Sequence, residues 1–276
     1  MIIEKDWAGC VLISSLTDFI GNTEKVELSK RSDLIGMAIL ATNWLAIFAI
    51  FYLVTRFPSL LTFLGTFLLL PGRQLGLSVL MHECAHRTLF RTRWCNDVFG
   101  HWFCALPVFN DIRRYTIEHM KHHQEIGTDE DPDLYNYASY PVSWKSFKRK
   151  IVRDLTGRTG IRNLSTLFLS SKKSVPDCKL RSLRPLLEIL FSQFFLVLIF
   201  WSFGAIWFYL IWLAVFMTTF MLVIRIRQVA EHGAVVDLGD PNPLKNTRTV
   251  DAPFWQRWLL APNSVNFHME HHLLPS

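Results

Sequence analysis

The chain has no Cys-x-x-Cys pair, no Gly-x-Gly-x-x-Gly run and no His-Pro-Gly-Gly segment. The first absence removes zinc ribbons and dithiol redox motifs. The five cysteines, Cys10, Cys84, Cys95, Cys104 and Cys178, are odd in number, so no disulfide framework is indicated and they read as reduced thiols. The other two absences exclude a built-in nucleotide-binding or cytochrome b5-like electron donor. Charged residues are only 19% of the chain, and the net charge of +6 is spread between long apolar runs instead of filling a soluble basic domain. That distribution points to a charged bilayer surface and away from nucleic acid. A cleaved signal peptide is not expected either: Glu4, Lys5, Asp6, Asp18 and Glu24 interrupt the apolar stretch it would need, so the start reads as cytosolic sequence.

What the chain has in excess is apolar surface, with half of its residues hydrophobic and 14% aromatic. Residues 34–55 form a nearly unbroken apolar run, long enough for a helix rising about 1.5 Å per residue to cross about 30 Å of hydrocarbon. Residues 59–80 return, with Pro71, Gly72 and Arg73 interrupting the second half, so the helix is expected to emerge near Arg73 and continue into water. Residues 94–109 are apolar but short and carry Asn96, Asp97 and His101, which reads as an interfacial or re-entrant segment. The long run from Leu186 to Ile224, broken at Ser202 and Gly204, suits two further spans at 186–203 and 205–224. The expected fold is therefore all-α and integral to the membrane: one domain over 1–276, with four transmembrane helices in two hairpins and a helical cap built from 81–185 and 225–276.

Lys145, Lys148, Arg149, Lys150, Arg153, Arg158, Arg162, Lys172, Lys173, Lys179, Arg181 and Arg184 crowd the loop between the hairpins, and the opposite side offers little beyond Arg56. The positive-inside rule then puts the cap and both termini in the cytosol. The basic loop reads as a topology signal that also touches anionic headgroups.

Nine of the ten histidines fall into four groups: His82 and His86; His119, His122 and His123; His232; and His268, His271 and His272. Residues i and i+4 share a helix face and i and i+3 nearly do, so each box is a clamp for metal, and the topology places all of them on one side. Adjacent histidines such as His122/His123 and His271/His272 diverge by about 100° around a helix, which is awkward for one ion and natural for two side by side. Zinc at about four ligands would leave donors over, whereas two five- or six-coordinate irons absorb nine imidazoles. The repeated Glu-x-x-His of carboxylate-bridged diiron bundles is missing, so an all-imidazole set is expected, with Glu83, Glu118, Glu125, Glu231 and Glu270 orienting rings. His101 lies outside the pattern and reads as packing on an interfacial helix face. In Asp129–Glu130–Asp131–Pro132–Asp133, the Asp-Pro step is expected to stop the preceding helix and not to bind calcium.

The H-x3-H, H-x2-H-H and H-x2-H-H boxes, so spaced, resemble the membrane fatty acid desaturase superfamily from about Leu34 onward, and His-Glu-Cys-Ala-His is close to the first box of acyl-lipid desaturases. The resemblance implies a mushroom-shaped four-span fold and a diiron centre that uses O2 to introduce a double bond into a fatty acyl chain. It implies His232 as the ninth ligand and Gln228, four residues earlier, as a residue reaching the metal through a water, with glutamine here in place of the family's asparagine. The two electrons come from outside, so a separate ferredoxin or cytochrome b5 is the expected partner. A hydroxylase or ketolase of a carotenoid, alkane or sphingolipid shares the same boxes. A non-enzymatic metal or haem carrier is remote, because the second hairpin has no ionisable residue between Phe191 and Ile224. The chain ends at Ser276, soon after the last box, and so reads as a truncated or unusually short member.

Overall fold

The computed structural model describes residues 21–169, 183–240 and 242–275. Cys10, Lys172, Lys173, Cys178, Lys179, Arg181, Ser276 and the acidic residues of 1–20 lie outside them. The chain folds into helices α1 (Asn22–Leu28), α2 (Asp33–Arg56), α3 (Leu60–Ala85), α4 (Arg93–Phe99), α5 (Ile112–Glu125), α6 (Leu134–Tyr137), α7 (Trp144–Leu155), α8 (Arg158–Leu169), α9 (Arg184–Ser202), α10 (Trp207–Met217), α11 (Thr219–His232), α12 (Pro243–Asn246), α13 (Phe254–Leu259) and α14 (His268–Leu273). No strand occurs among the described residues. Four segments are long and apolar enough to cross a membrane: α2, α3, α9 and the α10–α11 pair. Their outer faces carry exposed Leu34, Leu45, Leu60, Leu61, Phe194, Phe195 and Leu210, a surface suited to hydrocarbon.

The sequence expectation fails at two places in the spans. Helix α3 does not emerge into water at Arg73. It runs unbroken through Pro71, and Arg73 is buried because residues 254–264 lie across it: an Arg73 terminal nitrogen donates to the Trp258 carbonyl and the guanidinium stands 4.4 Å above the Trp258 ring. Gly72 permits this approach, since a Cβ there would stand 2.6 Å from the Leu259 carbonyl. The last span, expected as one helix over 205–224, is broken at Thr218 (φ −117°, ψ −89°), where the Thr218 hydroxyl donates to Ala214 O at 2.6 Å. Helix α8 presses on the break, with Gly160 so close that a Cβ would stand 2.4 Å from Met217 Cα. The same helix then resumes as α11 and extends to His232.

Residues 94–109 lie against the spans: α4 passes into a π turn (Gly100–Ala105) and a 3-10 turn (Leu106–Val108), all three packed against α3 and the 3-10 turn also against α9. Carbonyls freed by this irregular backbone need partners where water is absent. Gln193 donates to Leu106 O (2.8 Å) and Pro107 O (3.2 Å), and the Trp212 indole donates to Pro107 O (3.2 Å). The core around them joins Ile47, Phe51, Leu70, Leu75, Phe208 and Trp212, and a second cluster of Leu80, Met81, Leu89, Phe90, Cys104 and Ile112 lies beneath the first histidine box. Cys84, Cys95 and Cys104 are free thiols.

Helix α7 is anchored to α11 by an ion pair between Arg225 and Asp154, whose carboxylate is fully buried and also accepts from the Thr159 hydroxyl at 2.5 Å. Asp154→Ala leaves the partly buried Arg225 guanidinium without its carboxylate and is expected to destabilise the fold by about 3–5 kcal/mol. Adding Arg225→Met should recover most of that loss in thermal unfolding of the detergent-solubilised protein. Equal melting temperatures for Asp154→Ala and wild type would show that the pair contributes nothing.

Candidate metal centre

The eight box histidines and His232 converge from four parts of the chain. Helix α3 presents His82 in its last turn, with His86 just past its end; α5 carries His119, His122 and His123; α11 ends on His232; and α14 carries His268, His271 and His272. They divide into two adjoining groups. The first is His82, His86, His119, His123 and His271, with ligand nitrogens all within 4.8 Å of one another. The second joins His122, His232 and His272, and His268 lies against both His232 and His272. Each adjacent doublet is split: His123 and His271 face the first group, His122 and His272 the second, as the 100° step between helix neighbours requires.

Within the groups the ring nitrogens face each other at short range. Nε2 of His123 is 3.1 Å from that of His119 and 3.0 Å from that of His271, while Nε2 of His268 is 2.7 Å from that of His232 and 3.1 Å from that of His272. The outer nitrogens are held elsewhere: His82 Nδ1 is 3.0 Å from Glu83 Oε1, His122 Nδ1 2.9 Å from Asp131 Oδ1 and His232 Nδ1 3.3 Å from Asn246 O. These acceptors fix the proton on Nδ1 and leave the Nε2 lone pair facing inward. Nε2 of His82 and Nε2 of His86 are buried with no hydrogen-bond partner.

Burial depresses the imidazole pKa of His86, His119, His123, His268, His271 and His272, and for most of them neighbouring imidazoles add to the effect. His119, His268 and His272 are held well below the ordinary histidine range, and His123 is lowered to about 3. Neutral rings with converging lone pairs repel one another unless a cation lies among them. Nitrogens bound to a first-row metal at about 2.0–2.1 Å and about 90° apart lie about 2.8–3.0 Å from each other, against about 3.3–3.4 Å at the tetrahedral angle. The observed 2.7–3.1 Å spacings match the former. The two groups of histidines are thus arranged so that they could bind metal.

The surrounding carboxylates differ from the sequence expectation. Glu83 does hold a ring, and Glu231, paired with Arg227 at 2.8 Å, brings its second oxygen to 3.8 Å from His268 Nε2. Glu118 pairs instead with Arg114, Glu125 accepts from Thr128 and Glu270 from Thr249. Asp131 takes over instead. Its buried carboxylate holds His122 and accepts from the Tyr137 hydroxyl and from Gly127 N–H, and Tyr137 packs its ring 4.9 Å from His232. The only forewarning was an acidic run following the second box. Nor does Asp131–Pro132 end the helix: α5 stops earlier, at Glu125, where Gly127 turns with φ +77° against the Leu238 carbonyl.

His101 stays outside the histidine groups. It is buried, with Nε2 3.1 Å from Glu188, a carboxylate that Arg113 and Arg184 also contact. Gln228 lies one turn before His232 on α11 and is half-buried.

A family model described as "Fatty acid desaturase" matches residues 58–276. The chain is 29% identical over 220 residues to a dihydrorhizobitoxine desaturase of Bradyrhizobium elkanii, covering 75% of this chain and 62% of that protein. It is 26% identical over 113 residues to an sn-1 acyl-lipid omega-3 desaturase (ferredoxin) of Nostoc, covering 41% of this chain and 30% of the relative. It is 29% identical over 123 residues to a beta-carotene ketolase of Paracoccus, covering 44% and 49%. The chain thus spans less than two thirds of the length of these relatives.

Two outcomes test the centre. Asp131→Asn replaces the carboxylate that orients His122 with a neutral amide and should weaken metal affinity about 10–100-fold, read by competition with a chelator. In the metal-free protein, folding keeps His123 neutral down to about 3, whereas the unfolded chain protonates near 6.5, so its contribution is fully present above about 6.5 and is lost as pH falls toward 3. The melting temperature should decline across that window. A flat acid limb would contradict the burial.

Proposed function

Because the chain belongs to the fatty acid desaturase family, we propose that it is an integral-membrane, O2-dependent diiron desaturase acting on a fatty acyl lipid. The observation carrying this reading is the division of nine histidines into two adjoining groups with inward-facing nitrogens. His82, His86, His119, His123 and His271 would hold one iron, and His122, His232, His268 and His272 the other, with Gln228 reaching the metal through a water. When bound, the iron pair supplies what no side chain offers: reduction of O2 and removal of hydrogen from an unactivated methylene.

The residues of this chain do the positioning. Glu83, Asp131 and the Asn246 carbonyl keep protons on the outer nitrogens, and Tyr115 stacks on His119 with ring centroids 5.1 Å apart. Desaturation takes two hydrogens from the acyl chain, and with O2, two electrons and two protons from outside, it yields an alkene and two waters. The electrons would come from a separate ferredoxin or cytochrome b5. The exposed Lys145, Lys148 and Arg149 on α7 support docking of an acidic donor. Two hairpins, with the histidine side and both termini cytosolic, follow from the positive-inside rule.

Oxygenation is the second reading, favoured by the similarity to a carotenoid ketolase. Expression in a host of known lipid content, with wild type and His271→Ala compared by mass spectrometry under labelled O2, separates the two. A new alkene without label, absent in the variant, is expected. A labelled hydroxyl or keto product with unchanged acyl chains would establish the oxygenase. Reversing Lys148 and Arg149 to glutamate should slow electron delivery and flatten its salt dependence in a reconstituted assay. Unchanged rates would rule out this docking face.

A further inference from the structure

The two histidine groups are unequal. Five imidazoles form the first, whereas His122, His232, His268 and His272 give the second only four. One further donor stands among those four. Glu231, at the end of α11, is only 4% exposed, and one of its carboxylate oxygens lies with ring nitrogens of His232 and His268, all three within 4.8 Å of one another. Two contacts fix the residue in place. Arg227, one helical turn earlier, donates Nε–H to Oε1 at 2.8 Å, and the Arg248 N–H donates to the Glu231 carbonyl at 3.1 Å. The other carboxylate oxygen, Oε2, is left facing the histidines.

The nitrogen that Oε2 faces sets this carboxylate apart from the others around the site. Glu83 and Asp131 approach Nδ1, the outer nitrogen, and so orient the rings of His82 and His122. Glu231 Oε2 instead stands 3.8 Å from Nε2 of His268, the same atom that faces Nε2 of His232 at 2.7 Å and Nε2 of His272 at 3.1 Å. A separation of 3.8 Å is too long for a hydrogen bond. It fits two donors sharing one ion, since an imidazole nitrogen at about 2.0–2.1 Å and a carboxylate oxygen at about 2.0–2.2 Å from a metal are at most about 4.3 Å apart. Charge points the same way. A dication held in buried space by neutral rings alone has no anion in contact with it, and Glu231 brings one.

We infer that Glu231 is a metal ligand: Oε2 completes the second group as a fifth donor beside His122, His232, His268 and His272, while Arg227 holds Oε1 and sets the aim of the carboxylate. This inference rests on the two-ion reading above and departs from an all-imidazole set. Each ion then has five donors, all imidazole at one and four imidazoles with a carboxylate at the other. The two sites differ in charge by one unit, so the ions they hold are inequivalent.

The test uses the full-length chain, purified in detergent, stripped of metal and titrated anaerobically with ferrous iron alone. Bound iron is counted, and affinities are read by competition with a chelator. Wild type should bind two ions, with two ferrous Mössbauer signals of equal area. Glu231→Gln keeps the shape and an amide oxygen for Arg227 but is a far weaker donor. It should weaken one ion by more than about 100-fold, beyond the about 10–100-fold that an outer hydrogen-bond partner costs, and should remove one Mössbauer signal. Arg227→Met, which disturbs only the aim of the carboxylate, should still bind two ions. Glu231→Gln/Arg227→Met removes both members of the buried pair and should lose the same single ion, and it carries the test if Glu231→Gln fails to fold. Retention of both ions at wild-type affinity by Glu231→Gln, equal weakening of the two, or recovery of the lost ion on adding Arg227→Met would overturn the inference and leave the two-ion reading standing. Fewer than two ions in wild type would overturn both.

Discussion

Nine imidazoles crowded into buried space with their nitrogens turned on one another form the constraint around which the molecule is organised. Spacings of 2.7–3.1 Å between Nε2 atoms are too close for neutral lone pairs without a shared proton or cation. Burial opposes a charged ring, so the close approach is relieved only where one neutral ring donates its N–H to the next or a cation lies between them. The four contributing segments must nevertheless be brought and held together, and much of the remaining structure serves that end. The α2–α3 packing, the re-entrant 94–109 segment and the Asp154–Arg225 pair all fix where the ends of α3, α5 and α11 lie.

The partition of the donors is a consequence of helix geometry combined with anchoring from outside. Neighbouring histidines leave a helix about 100° apart, so a doublet serves two groups only if both sides are lined by further donors. His82 and His86 supply one lining and His232 with His268 the other. The outer nitrogens then decide how firmly each ring is aimed, and their acceptors are of three kinds: the adjacent glutamate for His82, a loop aspartate for His122 and a backbone carbonyl for His232.

Polar residues within the apolar helices follow a single pattern. Gln74 donates to Trp212 O, Gln193 to Leu106 O and Pro107 O, and Asn43 to Arg73 O, each satisfying backbone oxygen where water is excluded. They mark where the spans depart from simple helix packing or where irregular chain docks against them. Arg73 shares the role by donating to the Trp258 carbonyl.

The sequence by itself determined the helical class, the four apolar segments and eight of the converging histidines, because apolar run length and the i, i+3 and i+4 spacings are local properties of one chain segment, whereas His232 followed only from the family resemblance. Spacing also foretold that the doublets would diverge. It did not reveal Asp131, whose contact with His122 depends on a turn at Gly127 folding back over the site. Nor did it reveal the break at Thr218, imposed by Gly160 of another helix, or the burial of Arg73 beneath residues nearly two hundred positions away. Those features come from contacts between segments remote in sequence, which no local pattern encodes, and so only the tertiary structure decided them.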